Sequence, residues 1–124
     1  MAASREQILE VIERYIDRVA HGTADEIVAL YAEGATVEDP VGTEPLTTRA
    51  QITTFYSQLD GLEQEGRLLT AKIAGSEAAF SFELVTIAGD QKYTLAPIDV
   101  MTFDDEARIT SMRAFWAGED MQVS

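Results

Sequence analysis

The chain changes its hydrophobic period near residue 60. Before that point apolar residues recur at three- and four-residue steps, the spacing of one helix face. From Gly61 onward they recur at every second position, the spacing of one strand face. Ser4 with Gln7 forms a capping-box signature, and Ile8, Val11, Ile12, Tyr15, Ile16 and Val19 then fall on one stripe that His21-Gly22 closes. His21 reads as a surface histidine at the helix C-terminus. Thr23 with Glu26 opens a second, short helix, with Ile27, Val28, Leu30 and Tyr31 on its apolar face and Gly34 as its left-handed end. Thr48 with Gln51 opens a third, whose stripe is Ile52, Phe55, Tyr56 and Leu59. The pattern therefore puts Tyr15, Tyr31 and Tyr56 on the inner faces of three helices. That is more hydroxyl than a plain core needs.

In the strand half, Leu69, Ala71 and Ile73 alternate up to a turn at Gly75-Ser76, and Phe80, Phe82 and Leu84 alternate up to a second at Gly89-Asp90. Residues 92–103 read as one long strand with Tyr93, Leu95, Pro97, Asp99, Met101 and Phe103 on a shared face. After the charged turn Asp104-Asp105-Glu106, residues 108–116 return with Met112, Ala114 and Trp116 on one side. Helices first and strands afterwards, joined by short turns, predict an α+β fold. A strongly bent, mostly antiparallel sheet carries three N-terminal helices on its concave face, and residues 1–124 form a single domain.

Two acids break this pattern. In Ala35-Thr36-Val37-Glu38-Asp39-Pro40, a strand between the second and third helices, Asp39 falls in step with Ala35 and Val37 and so points inward. An inward carboxylate is costly unless it is hydrogen-bonded, paired or used in chemistry. An Asp beside Pro can also simply cap a turn. Asp99 repeats the oddity in mid-strand, between Ile98 and Val100, with no cation within a few residues. Burial there raises a carboxyl pKa and favours the neutral acid, which can donate a hydrogen bond. A solvated strand-end Asp is the plainer reading.

Composition narrows the classes. The 46% hydrophobic and 25% charged residues are those of a globular protein. Without cysteine and with one histidine, disulfides, thiolate metal sites and multi-histidine metal sites are excluded. Twenty-two acidic residues against nine basic give a net charge of −13, which repels phosphate backbones and anionic lipid. Nucleic acid and membrane are therefore not expected partners. A neutral ligand would be indifferent to that charge. The N-terminus carries no signal-peptide core and no window approaches the ~20 apolar residues that span a bilayer, so a cytoplasmic location is expected.

Several pieces in order resemble the bacterial Δ5-3-ketosteroid isomerases. They are Tyr15 in the first stripe, Leu30-Tyr31-Ala32, the 35–40 strand, Phe55-Tyr56, Ile98-Asp99-Val100-Met101 and Met112-Arg113-Ala114-Phe115-Trp116. Each is weak alone; their common order and spacing along nearly the whole chain are specific. The resemblance implies a cone-shaped barrel of the nuclear-transport-factor-two-like (SnoaL-like) superfamily, dimeric through its sheet and without a cofactor. It implies a general base, Asp39, that moves a steroid proton from C4 to C6. It also implies two donors to the C3 oxygen, Tyr15 and a neutral Asp99, with Tyr31 and Tyr56 behind Tyr15. A carboxylic acid kept neutral for this purpose is that family's known device and not a deduction from the pattern. An uncharged polycycle suits apolar walls, for which Phe55, Phe82, Phe103, Met112, Ala114 and Trp116 are the candidates. The sequence departs from the family's pattern at Ala107, where Gly is commoner, at Pro97, and throughout residues 61–91. The Ala107 change is expected to be harmless. The divergent segment helps form the mouth of the cone and leaves the steroid's shape open.

The nearest alternative is a related cone-fold polyketide cyclase or epoxide hydrolase. An epoxide hydrolase of this fold would want an Asp–Arg–Asp grouping inside, and Arg113 has the opposite parity from Met112 and Trp116. A glycosidase would need a polar, sugar-stacking groove. A non-catalytic carrier of hydrophobic ligands would have no reason to keep Asp39, Asp99 and three inward tyrosines together.

Overall fold

The computed structural model describes residues 2–124. Helix α1 (Arg5–His21) begins at the expected capping box: Gln7 N donates to Ser4 Oγ, and Ser4 N to Gln7 Oε1 at 2.7 Å. Ile8, Ile12, Tyr15, Ile16 and Val19 form its buried stripe. Helices α2 (Ala24–Val28) and α3 (Arg49–Ser57) also start at their capping boxes, Thr23/Glu26 and Thr48/Gln51.

Helix α2 stops earlier than its apolar pattern suggests. Tyr31 is the first residue of strand β1 (Tyr31–Glu38), not part of a helix. Two tertiary interactions impose the switch. Arg49 donates from its guanidinium to the carbonyls of Val28 and Tyr31, and Ile109 N donates to Leu30 O. Gly34, at φ +79°, sits in an irregular stretch of β1 and does not end a helix.

The remaining strands are β2 (Glu63–Ala74), β3 (Glu77–Ala88), β4 (Gln91–Leu95), β5 (Ile98–Phe103), β6 (Ile109–Phe115) and the short β7 (Gln122–Val123), which follows a 3-10 turn at Gly118–Asp120. Their order is β1-β6-β5-β3-β4-β7, with β2 on the other side of β3. Only β1–β6 is a parallel pair. The expected long strand over 92–103 is two strands, broken at Ala96-Pro97. The first half of β3 pairs with β5 and the second half with β4, so a sharp bend falls where Pro97 has no N–H to give. A second departure is Leu69, expected inward but 44% exposed. The register shifts between Leu68 and Thr70, which turns Leu68, not Leu69, toward the core.

Helix α1 lies across β2, and Gly66 permits the approach. A Cβ there would stand 3.0 Å from Ile16 Cγ2. In the turn before β6, Ala107 takes φ +61°, a left-handed conformation that suits the glycine commoner at this point. Asp104 Oδ1 holds that turn by accepting from the N–H groups of Glu106 and Arg108. His21 lies on the surface beside Asp17 and Glu65.

Candidate active site

Tyr15 projects from α1, Tyr56 from α3 and Tyr31 from the start of β1, yet their hydroxyls form one ladder. Tyr31 Oη lies 2.7 Å from Tyr56 Oη, which lies 2.9 Å from Tyr15 Oη. Tyr56 is the middle rung. Each phenol has one proton to give. When Tyr31 donates to Tyr56 and Tyr56 to Tyr15, the proton of Tyr15 is left for a cavity occupant. The Tyr15 ring is set edge-on against Tyr56, Phe80 and Phe82, with centroids 6.3, 6.4 and 6.4 Å away. Burial is the main reason all three phenols sit well above the ordinary phenol pKa. For Tyr15 the neighbouring Tyr31, Asp99 and Asp39 push in the same direction, while the bond to Tyr56 opposes them.

Asp99 is 1% exposed and pairs in register with Phe80 on one side and Ala114 on the other. Its Oδ1 has no hydrogen-bond partner. Burial drives its pKa well above the carboxylate range, and the negative charge of Asp39 drives it further. Asp39 follows the last residue of β1 and is only partly buried. Trp116 Nε1 donates to Asp39 Oδ1 at 2.7 Å. Burial raises the Asp39 pKa and the indole bond draws it back. The two carboxyls thus meet unequal environments: burial favours the neutral form far more at Asp99 than at Asp39, where the indole bond favours the charged one.

Tyr15, Tyr56, Asp39 and Asp99 all line one cavity of about 290 Å³, the volume scale of a small-molecule site. Tyr31 does not line it; its hydroxyl meets that of Tyr56 from behind. Four of the six expected wall residues line it: Phe55, Phe82, Ala114 and Trp116. Phe103 and Met112 do not. At 5% and 0% exposure they fill the core past the row shared by Asp99 and Ala114. Their parity is that of the wall, and parity reports the face but not the depth along it. Sequence reasoning missed Val19, Leu59 and Leu62 from the helical half, and Leu84 and Met121 from the sheet half. It also missed the bond from Trp116 to Asp39. Its only trace is that the sole tryptophan shares the inward parity of Met112 and Ala114. Gln64, Thr86 and Tyr93 add a polar stretch to the wall.

Arg113 lies outside: its Nε donates to Glu38 Oε1 at 2.9 Å, and its guanidinium stands over the Phe115 ring. Among the described residues no arginine lines the cavity. Among the described residues no group of three or more His, Cys, Asp or Glu could hold a metal, and no helix is long and apolar enough to cross a membrane.

Comparison with known proteins gives three findings. The profile of the SnoaL-like domain matches residues 12–112. A steroid Delta-isomerase from Nocardioides simplex is 49% identical over 118 residues, 95% of this chain and 96% of that protein. Among solved structures, the epoxide hydrolase/cyclase-like enzyme SalBIII, with a role in forming the pyran ring of the polyether salinomycin, superposes with a TM-score of 0.88. It is 25% identical and 98% of each chain is covered. A Mycobacterium tuberculosis protein superposes at 0.86 with 15% identity, over 98% of this chain and 99% of that one, a likeness of fold.

Proposed function

The chain belongs to the SnoaL-like domain family and groups within it with the steroid Δ-isomerases, and we propose that it moves the C5–C6 double bond of a 3-oxo-Δ5-steroid to C4–C5. It is an isomerase of the steroid class; the residue roles are our reading. Ionised Asp39 takes a proton from C4. The electrons move to the C3 carbonyl, giving a dienolate. The same carboxyl then returns the proton to C6, leaving the conjugated ketone and an ionised base. One carboxyl can serve both ends of the transfer because it starts and finishes in the same state. Tyr15 and neutral Asp99 donate to the C3 oxygen as charge develops, and fixed donors in a dry cavity stabilise that charge without reorganising.

The observation that carries this reading is the asymmetric carboxyl pair in one apolar cavity. Asp99 is buried with no cation and beside the tyrosine ladder, while Asp39 is only partly buried and held by Trp116. The SalBIII-like reading lacks such support, since the cavity holds no arginine to activate an epoxide between acids. Mixing the protein with a 3-oxo-Δ5-steroid tests the reading. The ultraviolet absorbance of the conjugated Δ4 product should appear at a rate proportional to enzyme. Binding without a change in absorbance would make the protein a carrier.

The proposal extends to assembly as a homodimer through the convex face of the sheet. Ile98 and Phe115, cross-strand partners, are 51% and 43% exposed there. Sedimentation should give twice the mass of a 13.6 kDa chain, and a sharp monomer at micromolar concentration would refute it.

A further inference from the structure

Two buried polar side-chain atoms among the described residues have no hydrogen-bond partner. One is Asp99 Oδ1, at the chemical end of the cavity. The other is Gln64 Oε1. Gln64 is 4% exposed, and it lines the same cavity. Its Nε2 donates to Thr86 Oγ1 at 2.9 Å, which leaves Oε1 as a lone acceptor. Leaving such an atom unpaired is costly, and a donor from a bound ligand removes that cost.

Gln64 does not stand alone. It pairs in register with Thr86, and Thr86 with Tyr93, so the three form one row across β2, β3 and β4. All three line a cavity whose walls are otherwise mostly apolar. Tyr93 donates its own proton to Gln91 Oε1 at 2.9 Å, which leaves its oxygen as a second acceptor beside the row.

The position of the row fixes what it can touch. On β3, Phe80 is the register partner of Asp99 and Thr86 that of Gln64. They are six residues apart, about 20 Å along an extended strand and less along this bent one. Side chains and a hydrogen bond at each end take up part of that span, and a rigid tetracycle fills the rest. A ligand whose 3-oxo group sits at Tyr15 and Asp99 therefore presents its opposite ring to Gln64.

We propose that Gln64, Thr86 and Tyr93 form a second polar subsite that binds a hydroxyl on the ring farthest from the reacting ketone, with Gln64 Oε1 as acceptor. This deepens the isomerase reading above and rests on it. Gln64 Oε1 is a free acceptor and the Thr86 hydroxyl keeps a proton to give, so the subsite suits a group that both donates and accepts. A 17β-hydroxyl fits; a 17-oxo group brings only lone pairs against Oε1.

Three 3-oxo-Δ5-steroids that differ only at C17 (hydroxyl, oxo and deoxy) test this against the wild type, Gln64→Leu and Thr86→Val. The wild type is expected to favour the hydroxyl over the deoxy compound by roughly two- to tenfold in kcat/KM, one neutral hydrogen bond. The Kd values of the matching Δ4 products should follow the same order. Gln64→Leu should remove the preference, and Thr86→Val, close in shape, should reduce it. The wild-type comparison decides the matter even if Gln64→Leu does not fold. Equal kcat/KM for all three steroids would overturn the subsite and leave the isomerase reading intact, as would a preference for the oxo compound or a hydroxyl preference surviving in Gln64→Leu. Failure to isomerise any of the three would instead overturn the isomerase reading and this inference with it.

Discussion

Tyr15 and Asp99 face the same cavity, but only Tyr15 is backed by other phenols. That difference orders the variants. Tyr15→Phe removes a donor and with it the hydroxyl that Tyr56 polarises, so kcat should fall roughly 10²–10³-fold. Tyr56→Phe leaves the Tyr15 donor in place and removes only its polarising partner, so its loss should be smaller. Asp99→Asn keeps an N–H donor and should cost less than Asp99→Leu, which keeps none. Equal losses for Tyr15→Phe and Tyr56→Phe, or for the two Asp99 variants, would contradict the two-donor arrangement. Trp116 acts on the base. Its indole bond draws the Asp39 pKa down, so Trp116→Phe should let that pKa rise. The base works ionised, so the acid limb of the kcat/KM profile should move to higher pH. A shift to lower pH would show that the indole does not hold the carboxylate form.

Among the elements, α1 depends on a contact that no side chain makes. Gly66→Ala would put a methyl 3.0 Å from Ile16 Cγ2, and the Ile16 side chain has to give by a few tenths of an ångström. Overpacking of this kind costs about 1–3 kcal/mol, which thermal or urea unfolding would register. An unchanged midpoint would mean the helix rides on the sheet more loosely than the contact implies. Elements were legible in the sequence where local chemistry decides them. All three capping boxes stand where Ser4, Thr23 and Thr48 mark them, because such a cap is complete within four residues. Tyr31 was misplaced because Arg49 and Ile109 decide where α2 ends, and both are distant in sequence. Leu69 was misplaced by a register shift that a strict period of two cannot express. For the site, the odd parity of Asp39 and Asp99 was visible because it violates a pattern. The depth of Phe103 and Met112 was not visible, because they obey one.

For the molecule as a whole, the buried acid has a thermodynamic consequence. The folded pKa of Asp99 lies well above its ordinary value of 3.8, so above pH 4 the native state holds a proton that the unfolded chain releases. Stability should therefore be greatest near the unfolded pKa and decline as pH rises toward the folded one. The raised pKa of Asp39 and the net charge of −13 act in the same direction. Asp99→Asn removes this titration and should flatten the decline, as unfolding measured from pH 4 to pH 8 would report. A slope as steep in Asp99→Asn as in the wild type would assign it to Asp39 and the surface charge instead. The central claim is that Asp39 carries the proton, and one comparison addresses it directly. Wild type and Asp39→Asn are mixed with the same 3-oxo-Δ5-steroid, and the conjugated product is followed by absorbance. The account predicts kcat lower by roughly 10²–10⁴-fold in Asp39→Asn, with the Kd for the Δ4 product little changed. Retention of more than about a tenth of the wild-type kcat would show that another group moves the proton.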